Sequence, residues 1–180
     1  MFLYMNKVQK SVFTVCLLLL SVCQMGFAQK LDKEFRSFYK GFQRNLEAHN
    51  QEAITRICYF PLQTLYWVDG VNNLSDEEKA DGWIEQNDFA TYDTIIFNAT
   101  VREIVPQVAV DQVQQIDVAA SGDYYKRLGE LIDQGSTLLE LYCTYGDRGA
   151  LGDRYFAFIF GRVQGEYRVL AYYTTERVKK

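Results

Sequence analysis

The stretch that most limits what this chain can fold into lies near its end. Residues 154–163 (RYFAFIFGRV) and 166–175 (EYRVLAYYTT) are two apolar, aromatic runs separated only by Gln164 and Gly165. Aromatic and β-branched side chains suit a pleated backbone, and glycine supplies the positive φ of a tight turn, so the pattern predicts a β-hairpin. With a two-residue turn, Phe156, Phe158 and Phe160 share a face with Tyr167, Val169, Ala171 and Tyr173. The other face carries Ala157, Ile159, Val163, Leu170 and Tyr172, and is apolar too. A sheet with one wet face alternates more cleanly than this. Another segment or a second subunit must cover it, and a homodimer through the sheet is the preferred reading.

The phenylalanine face needs a partner, and the sequence offers one. Leu31, Phe35, Phe38, Phe42 and Leu46 recur at helical spacing, which predicts an amphipathic helix over 31–48 with an aromatic stripe. Asn50 reads as the N-cap of a short second helix carrying Ala53, Ile54 and Ile57, which must end before Pro61; His49 falls in the connection. Residues 62–68 predict a strand stopping at Asp69-Gly70, and Ser75 with Glu78 matches a capping box on a helix kept short by Gly82. Asn87 is the expected cap of a helix burying Phe89, Tyr92, Ile95 and Ile96. Thr100 with Glu103 marks another small helix, closed by Pro106.

Beyond Pro106 the period shifts toward two. Val108, Val110, Ile116 and Val118 predict a strand, and residues 137–145 a central one. Between them Tyr124, Leu128, Leu131 and Ile132 suit a short helix ended by Gly135, either an inserted lid or, preferably, a plain connection. The expected class is α+β: a curved antiparallel sheet wrapped around the N-terminal helices.

The first residues have a different character. Lys7 and Lys10 precede an apolar run over 12–22, and Gly26, Phe27 and Ala28 close it, the pattern of a secretory signal cleaved after residue 28. The run is shorter than the roughly 20 residues of a membrane span, so no span is expected after cleavage. Leu20-Ser21-Val22-Cys23 resembles a bacterial lipobox, but Val22 departs from the small residue usual there, so lipid anchoring at Cys23 ranks below cleavage. The expected location is therefore periplasmic or secreted. Residues 29–180 would form a single domain of 152 residues, with 17 Lys and Arg against 23 Asp and Glu and a net charge of −6. That balance excludes a nucleic-acid interface built on counterion release. Cys58 and Cys143 either pair, in an oxidising compartment, or are two buried thiols; with one histidine they lack zinc-ligand spacing.

Two helices, the Phe60-Pro61-Leu62 strand entry, the helix over 89–97 followed by Val101-Arg102-Glu103-Ile104, and the closing hairpin with Tyr167-Arg168-Val169 resemble the nuclear transport factor 2-like superfamily. The resemblance runs from Phe35 to Thr175. It implies a cystatin-like cone, often open at one end as a ligand pocket and often dimeric through the sheet. It does not select a function, since the same fold serves isomerases, dehydratases, carriers and non-catalytic modules. Enzymes of this kind set an acidic residue, helped by histidine or tyrosine, inside the cone.

The residues favour binding over catalysis. His49, the lone histidine, falls outside the expected cone. Asp93 could act as a base if buried, but a solvated helix position is the expectation. There is no phosphate-loop Gly-Lys-Ser/Thr and no Gly-x-Ser-x-Gly, and Asp147 with Asp153 lacks the ligand spacing of an EF-hand. No catalytic residue, metal or cofactor is assigned. The pocket candidates are Tyr66, Trp83, Tyr92, Phe158 and Tyr173. The expected function is an exported, non-catalytic module for a small apolar ligand or a protein partner; the alternative is an isomerase- or dehydratase-type enzyme using a buried acid with tyrosine.

Overall fold

A computed structural model describes residues 31–64, 82–146 and 154–175. The expected strand over 65–68, the capping box at Ser75 and the glycine-rich loop around Asp147 lie outside these residues. The described residues from 33 onward form one compact unit. Helix α1 (Lys33–Glu47) leads into α2 (Gln51–Ile57), and the Asn50 side chain accepts from Ala53 N at 3.1 Å, the cap expected from the sequence. His49 sits exposed in the connection at φ 52°. Strand β1 (Cys58–Gln63) follows α2 directly, so the strand begins four residues earlier than the expected 62.

The remaining elements are β2 (Trp83–Ile84), α3 (Phe89–Ile96), α4 (Ala99–Ile104), β3 (Gln114–Ile116), α5 (Asp123–Gly129), β4 (Leu138–Tyr145), β5 (Arg154–Val163) and β6 (Glu166–Thr174). The fold is α+β, with one six-stranded curved sheet in the order β2-β1-β6-β5-β4-β3. The sheet is mixed, which corrects the antiparallel expectation, because β1 runs parallel to β6. Several local readings also change. Asn98, not Thr100, caps α4, accepting from Val101 N at 3.1 Å. Asp88 rather than Asn87 precedes α3, and Val110–Gln112 is a 3₁₀ turn, leaving only three residues in β3.

The hairpin forms with the two-residue turn, both of whose residues have positive φ (Gln164 53°, Gly165 85°), as a type I′ turn requires. Near the turn the register is the expected one, with Val163 opposite Glu166 and Phe160 opposite Val169. A bulge then intervenes: Ile159 pairs with Ala171 rather than Leu170, and Phe158 with Tyr172. One extra residue moves every later side chain to the opposite face. Ala171 and Tyr173 therefore leave the phenylalanine face, and Tyr172 joins it, its ring 5.0 Å from Phe158.

On that inner face the aromatic stripe of α1 meets the sheet. Phe35 lies 5.7 Å from Phe160, Phe38 5.9 Å from Phe160, and Phe42 5.4 Å from Phe158. Tyr39, which the stripe omitted, is also fully buried, and Gln43 donates to the carbonyls of Val105, Pro106 and Val108 at 2.9–3.0 Å, tying α1 to the turn after α4. Arg102 closes two helix ends at once, donating to Phe97 O (2.6 Å) and Leu46 O (3.2 Å). A cation there favours both C-terminal dipoles.

The outer face is covered by the chain itself. Tyr124 and Leu128 of α5 pack with Leu138, Ala157, Ile159, Val163, Leu170, Ala171 and Tyr173, flanked by Ile116, Val118, Leu131 and Ile132. The segment read as a plain connection is thus the outer layer, and the apolar surface that motivated a homodimer is largely its footprint. Two devices dock it. Gly161 leaves room for Ile132, since a Cβ there would lie 2.4 Å from Ile132 Cγ2. The Asp133 carboxylate accepts from Gln164 N and Gly165 N, both at 2.8 Å, while Asp133 N donates to Arg162 O.

Cys58 and Cys143 are buried free thiols. They lie on β1 and β4, with β6 and β5 between them. Three strand spacings of about 4.8 Å set them roughly 14 Å apart, well beyond disulfide reach.

Candidate functional site

The five pocket candidates do not converge. Phe158 is completely buried on the inner face, stacked on Phe97 at 5.6 Å and 7° and ringed by Phe42, Phe156 and Tyr172. It is core and not a pocket wall, because this part of the concave face is filled by the protein's own rings. Tyr92 is half-buried on α3, and Tyr66 lies outside the described residues. Trp83 and Tyr173 belong to the other side of the molecule, the side that carries α5.

There the outer layer leaves a cleft. Gln63 of β1 and Trp83 of β2 face Tyr124, Arg127, Leu128, Glu130 and Leu131 across a cavity of about 360 Å³. Trp83 is 37% exposed. Trp83, Tyr124, Leu128 and Leu131 supply apolar wall, while Gln63, Arg127 and Glu130 are polar. The volume falls at the small end of the roughly 300–1,000 Å³ typical of ligand pockets. A second hollow of about 390 Å³, near Arg56, Cys58 and Arg168, is more polar. Both its arginines are engaged within the chain: Arg56 bonds Glu52, and Arg168 bonds Glu166 and the Arg56 carbonyl.

Beside the cleft, on the same outer face, Glu140 collects two phenols. Tyr173 OH donates to Glu140 Oε1 at 2.6 Å and Tyr125 OH to the same oxygen at 2.7 Å. Burial first, and then the bonds to Glu140 and Tyr125, push the Tyr173 phenol far above its ordinary value. Tyr173 packs edge-on to Tyr124 and Tyr155, and Tyr155 stacks on Tyr142 at 5.4 Å. Sequence reasoning found Tyr173 but not Tyr125, Glu140, Tyr142 or Tyr155. The available signal was Glu140 itself, a lone acid within the apolar strand LLELYCTY, since a carboxylate at such a position needs donors.

Asp93 corrects another expectation. It is buried, not solvated, and only 4% exposed, whereas Ile95 on the same helix is exposed. Helix α3 is therefore rotated from the expected face, with Phe89, Asp93 and Ile96 inward. Arg102 Nη2 lies 3.5 Å from Asp93 Oδ2, and Oδ1 accepts no hydrogen bond among the described residues. Burial raises the carboxyl above its usual range, and Arg102 partly offsets this. Neither cavity is lined by Asp93 or Glu140.

Among the described residues no cluster of three side chains could hold a metal, and no helix is long and apolar enough to cross a membrane. A scan against protein-family models finds no match to this sequence, and a search of curated proteins finds none either.

Proposed function

We propose that this chain is an exported, non-catalytic binding module of the nuclear transport factor 2-like kind, which takes a small, mainly apolar ligand in the outer cleft between α5 and the β1–β2 end of the sheet. The observation that carries this reading is the contrast between the two faces. The inner concavity around Phe158 is packed ring against ring, while the outer face keeps a cleft with an exposed tryptophan and an apolar wall. Concave, largely apolar sites with a few polar groups are where small molecules bind. Export is supported by the charged and apolar pattern of residues 1–28, and the family by the order of helices and closing hairpin.

The test uses Trp83 as reporter in a Trp67→Phe background, titrated with 1-anilinonaphthalene-8-sulfonate and then with medium-chain fatty acids. A saturable change in Trp83 emission is expected, and Trp83→Ala should weaken dye binding about tenfold, equivalent to ~1.4 kcal/mol. Dye binding that Trp83→Ala leaves intact would remove the cleft as the site.

The enzymatic alternative draws on one observation, the hydrogen-bonded meeting of an acid with two tyrosines at Glu140. Both phenols donate to one oxygen, an arrangement that holds the carboxylate in place. A proton-exchange assay on a panel of cyclic ketones separates the readings: turnover lost in Glu140→Gln would favour the enzyme, and none at all the module.

A further inference from the structure

Tyr142 is 49% exposed and sits mid-strand on β4, between the fully or nearly fully buried Leu141 and Cys143. Its ring stacks on Tyr155 at 5.4 Å and 26°, and Tyr155 meets Tyr173 edge-on at 6.1 Å. The result is an aromatic platform on the outer sheet face. Glu140 lies two residues away on the same strand, hence on the same face and about 7 Å along it. Its Oε1 is held by Tyr125 and Tyr173, while Oε2 accepts no hydrogen bond and the carboxylate pairs with no Lys or Arg among the described residues.

We infer that Tyr142, Tyr155 and Glu140 form a binding site for a small soluble quaternary ammonium compound, one with a trimethylammonium head. Aromatic faces carry the negative lobe of the ring quadrupole and attract cations, and quaternary ammonium ions are the usual guests of such surfaces. The charge of Glu140 adds to that field, as does the net charge of −4 on the whole chain.

The donor set excludes the other cations. A metal such as calcium needs about six to eight oxygen ligands, and one carboxylate oxygen without a hydrogen bond is far short of that. A primary ammonium brings three N–H donors, of which Glu140 Oε2 can take one while the rings offer the others no strong acceptor, so it gives up more hydration on binding. A trimethylammonium head has no N–H, so it desolvates without stranding donors, and its methyl groups rest on the rings. An anion is repelled, and a neutral apolar guest would desolvate the Glu140 carboxylate without compensation.

Calorimetric titration of the purified protein with choline chloride tests this, against potassium chloride for ionic strength and 3,3-dimethylbutan-1-ol as the uncharged isostere of choline. Choline is expected to bind saturably and the isostere about tenfold more weakly, with Tyr142→Leu costing choline about fivefold and Glu140→Gln about threefold. Tyr142 is half-exposed, and Gln keeps an acceptor for both phenols, so circular dichroism should show both variants folded. Equal binding of choline and its isostere, choline binding unchanged in Tyr142→Leu, or no saturable heat up to the solubility of choline would each overturn the inference. Cleft variants such as Trp83→Ala should leave choline binding unaltered, which keeps this site distinguishable from the ligand cleft.

Discussion

Replacing Phe158 by Ala measures whether the concave face is core or pocket. The ring is fully buried, with five aromatic neighbours at 5.0–6.4 Å. A buried phenylalanine removes at least roughly 150 Å² from water, which at about 25 cal/mol per Å² is ~4 kcal/mol. Large-to-small substitutions at filled aromatic sites cost about 3–5 kcal/mol, because the cavity left behind collapses only in part. In a domain of this size each kcal/mol lowers Tm by about 2–4 °C, so Phe158→Ala should melt roughly 8–16 °C earlier. Were the ring instead the wall of an open pocket, water would fill the space and the loss would be near ~1 kcal/mol. Urea denaturation followed by circular dichroism gives the number, and Phe158→Leu, expected to lose only about 1–1.5 kcal/mol, keeps the measurement possible if the alanine variant unfolds. A loss below about 1.5 kcal/mol for alanine would refute the filled-core reading.

Asp133→Ala should cost about 1–2 kcal/mol by removing the acceptor of two turn amides, and hydrogen exchange at Gln164 and Gly165 should accelerate; unchanged protection would mean the carboxylate does not clamp the turn. Gln164→Asn, which suits the positive φ of a type I′ turn better, should raise stability by about 0.5 kcal/mol, and a lower Tm would contradict the turn assignment. Gly161→Ala drives a methyl into Ile132 and Leu170 and should cost about 1–3 kcal/mol, a loss that Ile132→Ala in the same protein partly restores. High pH should unfold the protein. Burial pushes the Cys143 thiol from 9.0 up to about 11, and burial, partly offset by a hydrogen bond with Thr174, pushes Tyr172 from 10.0 up to about 12. The unfolded chain ionises first, so stability is full below pH 9 and falls as pH rises from 9 through 12. Phenolate absorbance should lag and then rise together with loss of circular dichroism; smooth titration near pH 10 of every tyrosine in a folded protein would argue against burial.

Much of the candidate site was hidden from the sequence for identifiable reasons. Trp83 and Tyr173 were recognisable as large amphipathic residues in apolar surroundings. Their grouping was not, because it depends on which face of β6 Tyr173 occupies, which the bulge between Val169 and Ala171 decides, and on the pairing that brings Trp83 of β2 to the same side. The inward turn of Asp93 was equally illegible: an aspartate in a helix is ordinarily solvated, and only the nearby Arg102, also fastened to Leu46 and Phe97 carbonyls, makes its burial tolerable. The role of residues 123–132 as an outer layer was missed because their apolar pattern fits a connection as well as a lid.

What the sequence by itself determined is local and periodic. The helical spacing of Phe35, Phe38 and Phe42, the Asn50 cap, and the glycine turn between two strands follow from backbone sterics and from burying one stripe, which need no knowledge of the rest of the chain. What only the tertiary structure decided is relational. The parallel pairing of β1 with β6, the flip of Ala171, Tyr172 and Tyr173, and the meeting of Tyr125, Tyr173 and Glu140 join residues from 12 to over 100 positions apart. A strand's period of two records which residues alternate but not which neighbour they face, and a single inserted residue reverses the answer without altering the pattern.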